Sequence, residues 1–106
     1  MLQVKVPRVI KLGIHRYRIR FDHTMLMVNG NVGEHRVSSG EIALDPHMAQ
    51  SSMTHVLNHE IMHHINQQYK CGLDEDGIDR IAMGWAEYME RGLGIKYDWS
   101  EIREVK

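Results

Sequence analysis

His59, Glu60 and His63 stand in the order His-Glu-x-x-His, and these residue types at this spacing suit metal-assisted hydrolysis. On a helix, residues i and i+4 lie on one side about one turn apart, so both imidazoles can offer a ring nitrogen to one ion. Glu60 is rotated by about 100° from His59 and reaches a metal-bound water without ligating the ion. The division of labour follows. Two neutral imidazoles hold Zn²⁺, the ion lowers the pKa of its water toward about 7, and Glu60 as general base takes the proton and hands it to the leaving amine. The competing reading is a solvated or core His pair. The context weighs against it: the motif sits in a helical stretch with end signals, an apolar strand-like run precedes it, and acidic residues return on a second helical stretch.

The remaining histidines carry less. His55 is also four residues from His59, but a His55/His59 pair would leave Glu60 without its water-side role. His64 is turned about 100° from His63 and is expected to pack or meet solvent rather than ligate. His15, His23, His35 and His47 have no spacing argument and read as surface or turn residues.

Two imidazoles do not hold a catalytic zinc, so a third protein ligand is expected, and the candidates are Asp74, Glu75, Asp76 and Asp79. If the first helix ends near Lys70 and the second runs back from Asp74, residue 75 faces about residue 70 and residue 79 faces about residue 66. At ~1.5 Å per residue, Glu75 is then roughly 10 Å from His63 along the axis and Asp79 only roughly 4 to 5 Å. Axial distance favours Asp79 as ligand. Glu75 and Asp79 flank the apolar face on the same side and are four apart, so one could ligate while the other accepts a hydrogen bond from a ligand His. Asp76 points to solvent.

Two kinds of element must position these residues, and the periodicity changes near residue 50. From residue 3 to about 45 the pattern is strand-like: "QVKVPRVI", a turn at Gly13, then "IHRYRIRF", where Tyr17, Ile19 and Phe21 alternate with Arg16, Arg18 and Arg20. "VNGNVGEHRV" contains an Asn-Gly step suited to a tight turn, and "GEIALDP" reads as a short strand stopped by Pro46. Ser51 or Ser52 can cap a helix running to about Lys70, with Cys71-Gly72 as terminator. Asp74 can cap a second helix on which Ile78, Ile81, Ala82, Trp85 and Met89 form one apolar stripe; Met83, beside it, reads as core too. It stops near residues 91–94, and Trp99 is the expected docking residue of the tail. The expected class is α+β: a small N-terminal antiparallel or mixed sheet of three to four strands, the HExxH helix, and a second antiparallel helix.

Length and composition bound the rest. The 106 residues suit one domain spanning 1–106, and 42% apolar with 25% charged residues suits a folded chain. The formal charge of -1 gives no global attraction to nucleic acid or membrane. Arg16, Arg18 and Arg20, with Lys11 and Arg36, could form a basic face, but by the period-two pattern no aromatic shares the arginine face and a solvated strand face is the simpler reading. No apolar run approaches about 20 residues and the first residues lack a secretion signal, so a cytoplasmic protein is expected. Cys71 is the single cysteine, so a metal must bind through His and carboxylate.

"HEIMHHINQQYKCGLDEDGIDRIAMGWAEYM", residues 59 to 89, resembles the small zincin-like, gluzincin-like metallopeptidase domains of phages and prophages. In them a short sheet precedes an HExxH helix, and a second helix carries an acidic residue in a V-E-x-L-A-like segment. Here that segment reads Ile78-Asp79-Arg80-Ile81-Ala82, with Asp where Glu is expected. The resemblance covers roughly residues 10 to 92. It implies a zinc metallopeptidase with Zn²⁺ as cofactor, His59 and His63 as ligands, Glu60 as general base and Asp79 at the acidic position. It further implies that "EIALD", residues 41 to 45, is the edge strand above the active-site helix, pairing with an extended peptide or protein substrate. Tyr69, Tyr88 and Tyr97 are candidate oxyanion stabilisers by type alone. The alternative is a non-catalytic adaptor in which zinc is structural, stapling two helices to a small sheet.

Overall fold

The computed structural model describes residues 2–24, 32–36 and 38–104. Pro7, which fixes φ and lacks an amide donor, divides the first strand-like run into β1 (Leu2–Lys5) and β2 (Val9–Leu12). Gly13, at φ 65°, turns the chain into β3 (His15–Phe21), which pairs antiparallel with β2 from Val9↔Arg18 to Leu12↔His15. The period-two pattern holds: Tyr17 and Ile19 are 1% and 2% exposed, whereas Arg16 and Arg18 face solvent. β4 (Gly33–Arg36) and β5 (Glu41–Leu44) complete the main path, in the order β2-β3-β5-β4, with β5 parallel to β3 and antiparallel to β4. The Asn29-Gly30 turn lies outside the described residues.

α1 (Gln50–Tyr69) begins two or three residues earlier than a serine cap would place it: Ala49 is the N-cap, without a side-chain hydrogen bond, and Ser51 and Ser52 lie inside the first turn. At its other end Lys70 takes the left-handed conformation, φ 52°, and its amide returns to the Asn66 carbonyl. α2 (Glu75–Glu87) starts as the acidic cluster predicts: Asp74 accepts from the Gly77 amide at 2.7 Å, with Glu75 and Asp76 in the first turn. α2 passes into a wide turn, Tyr88–Gly92, followed by β6 (Ile95–Asp98), parallel to β1 in a separate two-stranded sheet, and β7 (Arg103–Glu104), which pairs with the end of β3. The class is α+β.

The core lies between the sheet and α1. Tyr17, Ile19, Ile42 and Leu44 from the strands meet Met53 and Leu57 from α1, and Trp99 and Ile102 close one end. Each large apolar side chain buried there is worth about 1.5–3 kcal/mol. The apolar stripe expected on α2 needs correction. Ile78, Ala82, Ala86 and Met89 are its buried line, while Ile81, Met83 and Trp85 are 46%, 46% and 49% exposed. Among the described elements α2 packs along α1 and leads into the turn after it, so only one flank is covered; the small Ala82 and Ala86 face inward and the larger residues do not.

Candidate metal centre

Ile42, Ala43 and Leu44 of β5 are fully buried between β3 and β4. The expectation that residues 41 to 45 form the exposed edge is therefore corrected: β4 is the edge that overlies α1. The Asp45 amide donates to Val32 and the Asp22 amide to Leu44, so by antiparallel alternation Glu34 and Arg36 direct their backbone groups at β5, and Gly33 and His35 direct theirs outward. Among the described residues no strand pairs with that outer side. Gly33 makes the close approach feasible. A Cβ there would overlap the Val56 Cγ1 methyl and lie 3.6 Å from Glu60 Oε1, so β4 runs directly over the Glu60 carboxyl group.

Beneath β4, a cleft of about 1010 Å³ is lined by α1 from Ser52 to Gln67 and by Glu75 and Asp79 from α2. Three donor atoms converge in it. His59 Nε2 lies 3.0 Å from His63 Nε2 and 2.7 Å from Glu75 Oε1, and His63 Nε2 lies 3.3 Å from the same oxygen and 3.1 Å from Oε2. Asp79 stands elsewhere: its Oδ1 meets the other ring nitrogen, His59 Nδ1, at 3.0 Å. Both ring nitrogens of His59 thus face a carboxylate oxygen; with a cation on the Nε2 side, the Nε2 lone pair binds it and Nδ1 carries the proton donated to Asp79.

The reason lies in the connection between the helices. The axial argument set residue 75 opposite residue 70. In the structure Lys70 and Gly72 both take positive φ, and the loop doubles back along α1 until Leu73 is level with Asn66. Asn66 Oδ1 accepts from the Leu73 amide at 2.9 Å and its Nδ2 donates to the Leu73 carbonyl at 3.1 Å. α2 thus begins well inside the span of α1. Glu75 falls beside His59 and His63, and Asp79 falls beside His55 and His59, one turn further along. Asp74 is used as the cap, and Asp76 is exposed at the helix start.

Glu60 is 7% exposed. Burial pushes its carboxyl above the usual carboxylate range; His63 and His59 oppose this, and Glu75 and Glu34 add to it. Asp79 is held low, chiefly by the His59 hydrogen bond. His64 is buried at 2% and faces away from the donors: its Nδ1 meets the Tyr17 hydroxyl at 2.9 Å. His35, expected at the surface, instead packs with its ring centroid 4.8 Å from Tyr17 and 5.6 Å from His64. No tyrosine lines the cleft among the described residues: Tyr69 and Tyr88 are exposed, and the Tyr97 hydroxyl donates to buried Asn58. On the opposite sheet face Arg20 pairs with Glu41 at 2.7 Å and Arg36 with Asp22 and Glu34 at 3.2 Å, which shortens the basic stripe.

The side chains of His59, His63 and Glu75 are of a type and closeness that could hold a metal ion. A tetrahedral ion with nitrogen ligands at about 2.0–2.1 Å separates neighbouring ligand atoms by about 3.3 Å; here the two imidazole nitrogens are 3.0 Å apart and lie 2.7 and 3.3 Å from one Glu75 oxygen. Lone pairs held this close repel unless a cation or shared protons stand between them. No family model, no curated protein and no solved structure matches the chain.

Proposed function

We propose that this chain is a zinc-dependent peptidase of zincin-like build, in which His59, His63 and Glu75 hold the ion and Glu60 is the general base. The observation that carries this reading is the convergence of two imidazole nitrogens and a carboxylate oxygen beside a buried glutamate. Asp79, favoured as ligand by axial distance, becomes the acceptor that keeps the His59 proton on Nδ1 and the ring turned toward the centre. When bound, Zn²⁺ supplies a Lewis acid that brings the pKa of water toward neutrality and polarises the scissile carbonyl.

The chain's own residues do the rest. The outward amide and carbonyl groups of Gly33 and His35 receive an extended peptide by strand addition, which lays its backbone over Glu60. Glu60, kept from bulk water, takes a proton from the attacking water and delivers it to the leaving amine. Convergence of three protein donors, against the four ligands that close a structural site, supports the hydrolytic reading.

A peptide-library assay with purified protein tests the reading. Wild type and Glu60→Gln are expected to hold equal zinc, while the variant cleaves about 10²–10⁴-fold more slowly. Equal zinc in both and cleavage by neither would favour the adaptor with structural zinc. His63→Ala holding zinc as wild type does would remove the metal site.

A further inference from the structure

His55 stands one turn before His59 on α1 and lines the same cleft. Its Nε2 is shielded from solvent and has no hydrogen-bond partner among the described residues. Among the described residues it comes within 3.1 Å of Asp79 Oδ1, the oxygen that also takes the His59 Nδ1 bond at 3.0 Å. The contact has ion-pair length without the direction of a straight hydrogen bond.

The arrangement has a mechanical consequence. The Asp79 side chain is 43% exposed, and a half-exposed carboxylate tied at one point exchanges rotamers and trades its partner for water. Oδ1 has two lone pairs, enough for the His59 Nδ1 hydrogen bond and the bent, ion-pair-length contact of His55 Nε2. Two rings on one helix face, one turn apart, therefore pin one oxygen between them. His55 meets Asp79 on the Nδ1 side of His59, whereas His63 and Glu75 converge on the Nε2 side.

We propose that His55 is a positioning residue that clamps the Asp79 carboxylate onto His59 Nδ1, and through it fixes the tautomer and orientation of a zinc ligand. The proposal rests on the zinc reading above. It predicts one ion per chain. It also predicts that His55 and Asp79 act as one unit, so their effects do not add.

Zinc competition titrations and the NMR signal of the His59 Nδ1 proton test it on wild type, His55→Leu, His55→Gln, Asp79→Ala and the double variant His55→Leu/Asp79→Ala. Asp79→Ala is expected to weaken zinc binding about 10–100-fold and to abolish the downfield proton signal. His55→Leu should weaken binding about 10-fold and broaden that signal through faster exchange, while the double variant is no weaker than Asp79→Ala. His55→Gln, whose amide donates to Asp79, should recover most of the loss, and it carries the test if the Leu variant folds poorly. Unchanged affinity and an unchanged proton signal in both His55 variants, with Asp79→Ala still weakened, would overturn the clamp and leave the zinc reading intact. A second equivalent of zinc that His55→Leu removes would also overturn it, making His55 a ligand. Wild type that binds no zinc would sink the zinc reading and the clamp together.

Discussion

At the scale of single residues, the fixed i, i+4 geometry of a helix made His59, Glu60 and His63 readable as neighbours from their spacing alone. Glu75 and Asp79 were readable only as a pair, because their assignment depends on a loop of five residues. Asn66 was not legible at all. Its role comes from two hydrogen bonds to Leu73, at 2.9 and 3.1 Å, and nothing in its spacing announces them. Yet this side chain sets where α2 begins, and hence which carboxylate meets the histidines. Asn66→Ala is expected to cost about 1 kcal/mol in denaturant unfolding and to weaken zinc binding about 10-fold, because Glu75 loses its register. Zinc affinity equal to wild type would show that the loop holds Glu75 without this brace.

At the scale of elements, periodicity identified strands and helices well and their neighbours poorly. β3 alternates as expected because one face packs on α1. The wrong strand was expected at the edge, since "EIALD" and "GEHR" are both short and only the sheet order separates them. Gly33 was the available sign: a glycine in a strand marks close approach of another element. The interface between β4 and α1 also gathers Tyr17, His35 and His64, and burial pushes both imidazoles below the usual histidine range near 6.5. The unfolded chain then binds protons more readily than the folded one, so this contribution is complete above about pH 6.5 and is lost as pH falls through the lower folded values. Glu60, pushed upward, acts with the opposite sign above its unfolded value near 4.3. The histidine part is therefore read as a difference. In metal-free protein, the urea midpoint of wild type should fall more steeply from pH 7.5 to 5.5 than that of His35→Phe. Parallel curves would contradict the assignment.

At the scale of the whole molecule, the class was legible and the closure was not. The radius of gyration, 13.3 Å, is close to the roughly 13 Å expected for a compact chain of this length. β1 and β6 pair in parallel from Leu2↔Ile95 to Lys5↔Asp98, a contact between distant segments that no local pattern encodes. Trp99 was readable as a docking residue by its size and apolar character, and it packs 6.1 Å from Phe21 and 5.9 Å from Tyr97 between ring centroids. Among the described residues no helix is long and apolar enough to cross a membrane. Sheet, α1 and α2 together border a cleft in which the β4 edge, buried Glu60 and the proposed ligands His59, His63 and Glu75 meet. The most direct measurement is X-ray absorption at the zinc edge of zinc-loaded wild type, Glu75→Gln and Asp79→Asn. Two imidazole nitrogens and one carboxylate oxygen are expected, with the carboxylate lost in Glu75→Gln and kept in Asp79→Asn. A carboxylate that survives Glu75→Gln and disappears in Asp79→Asn would contradict the account.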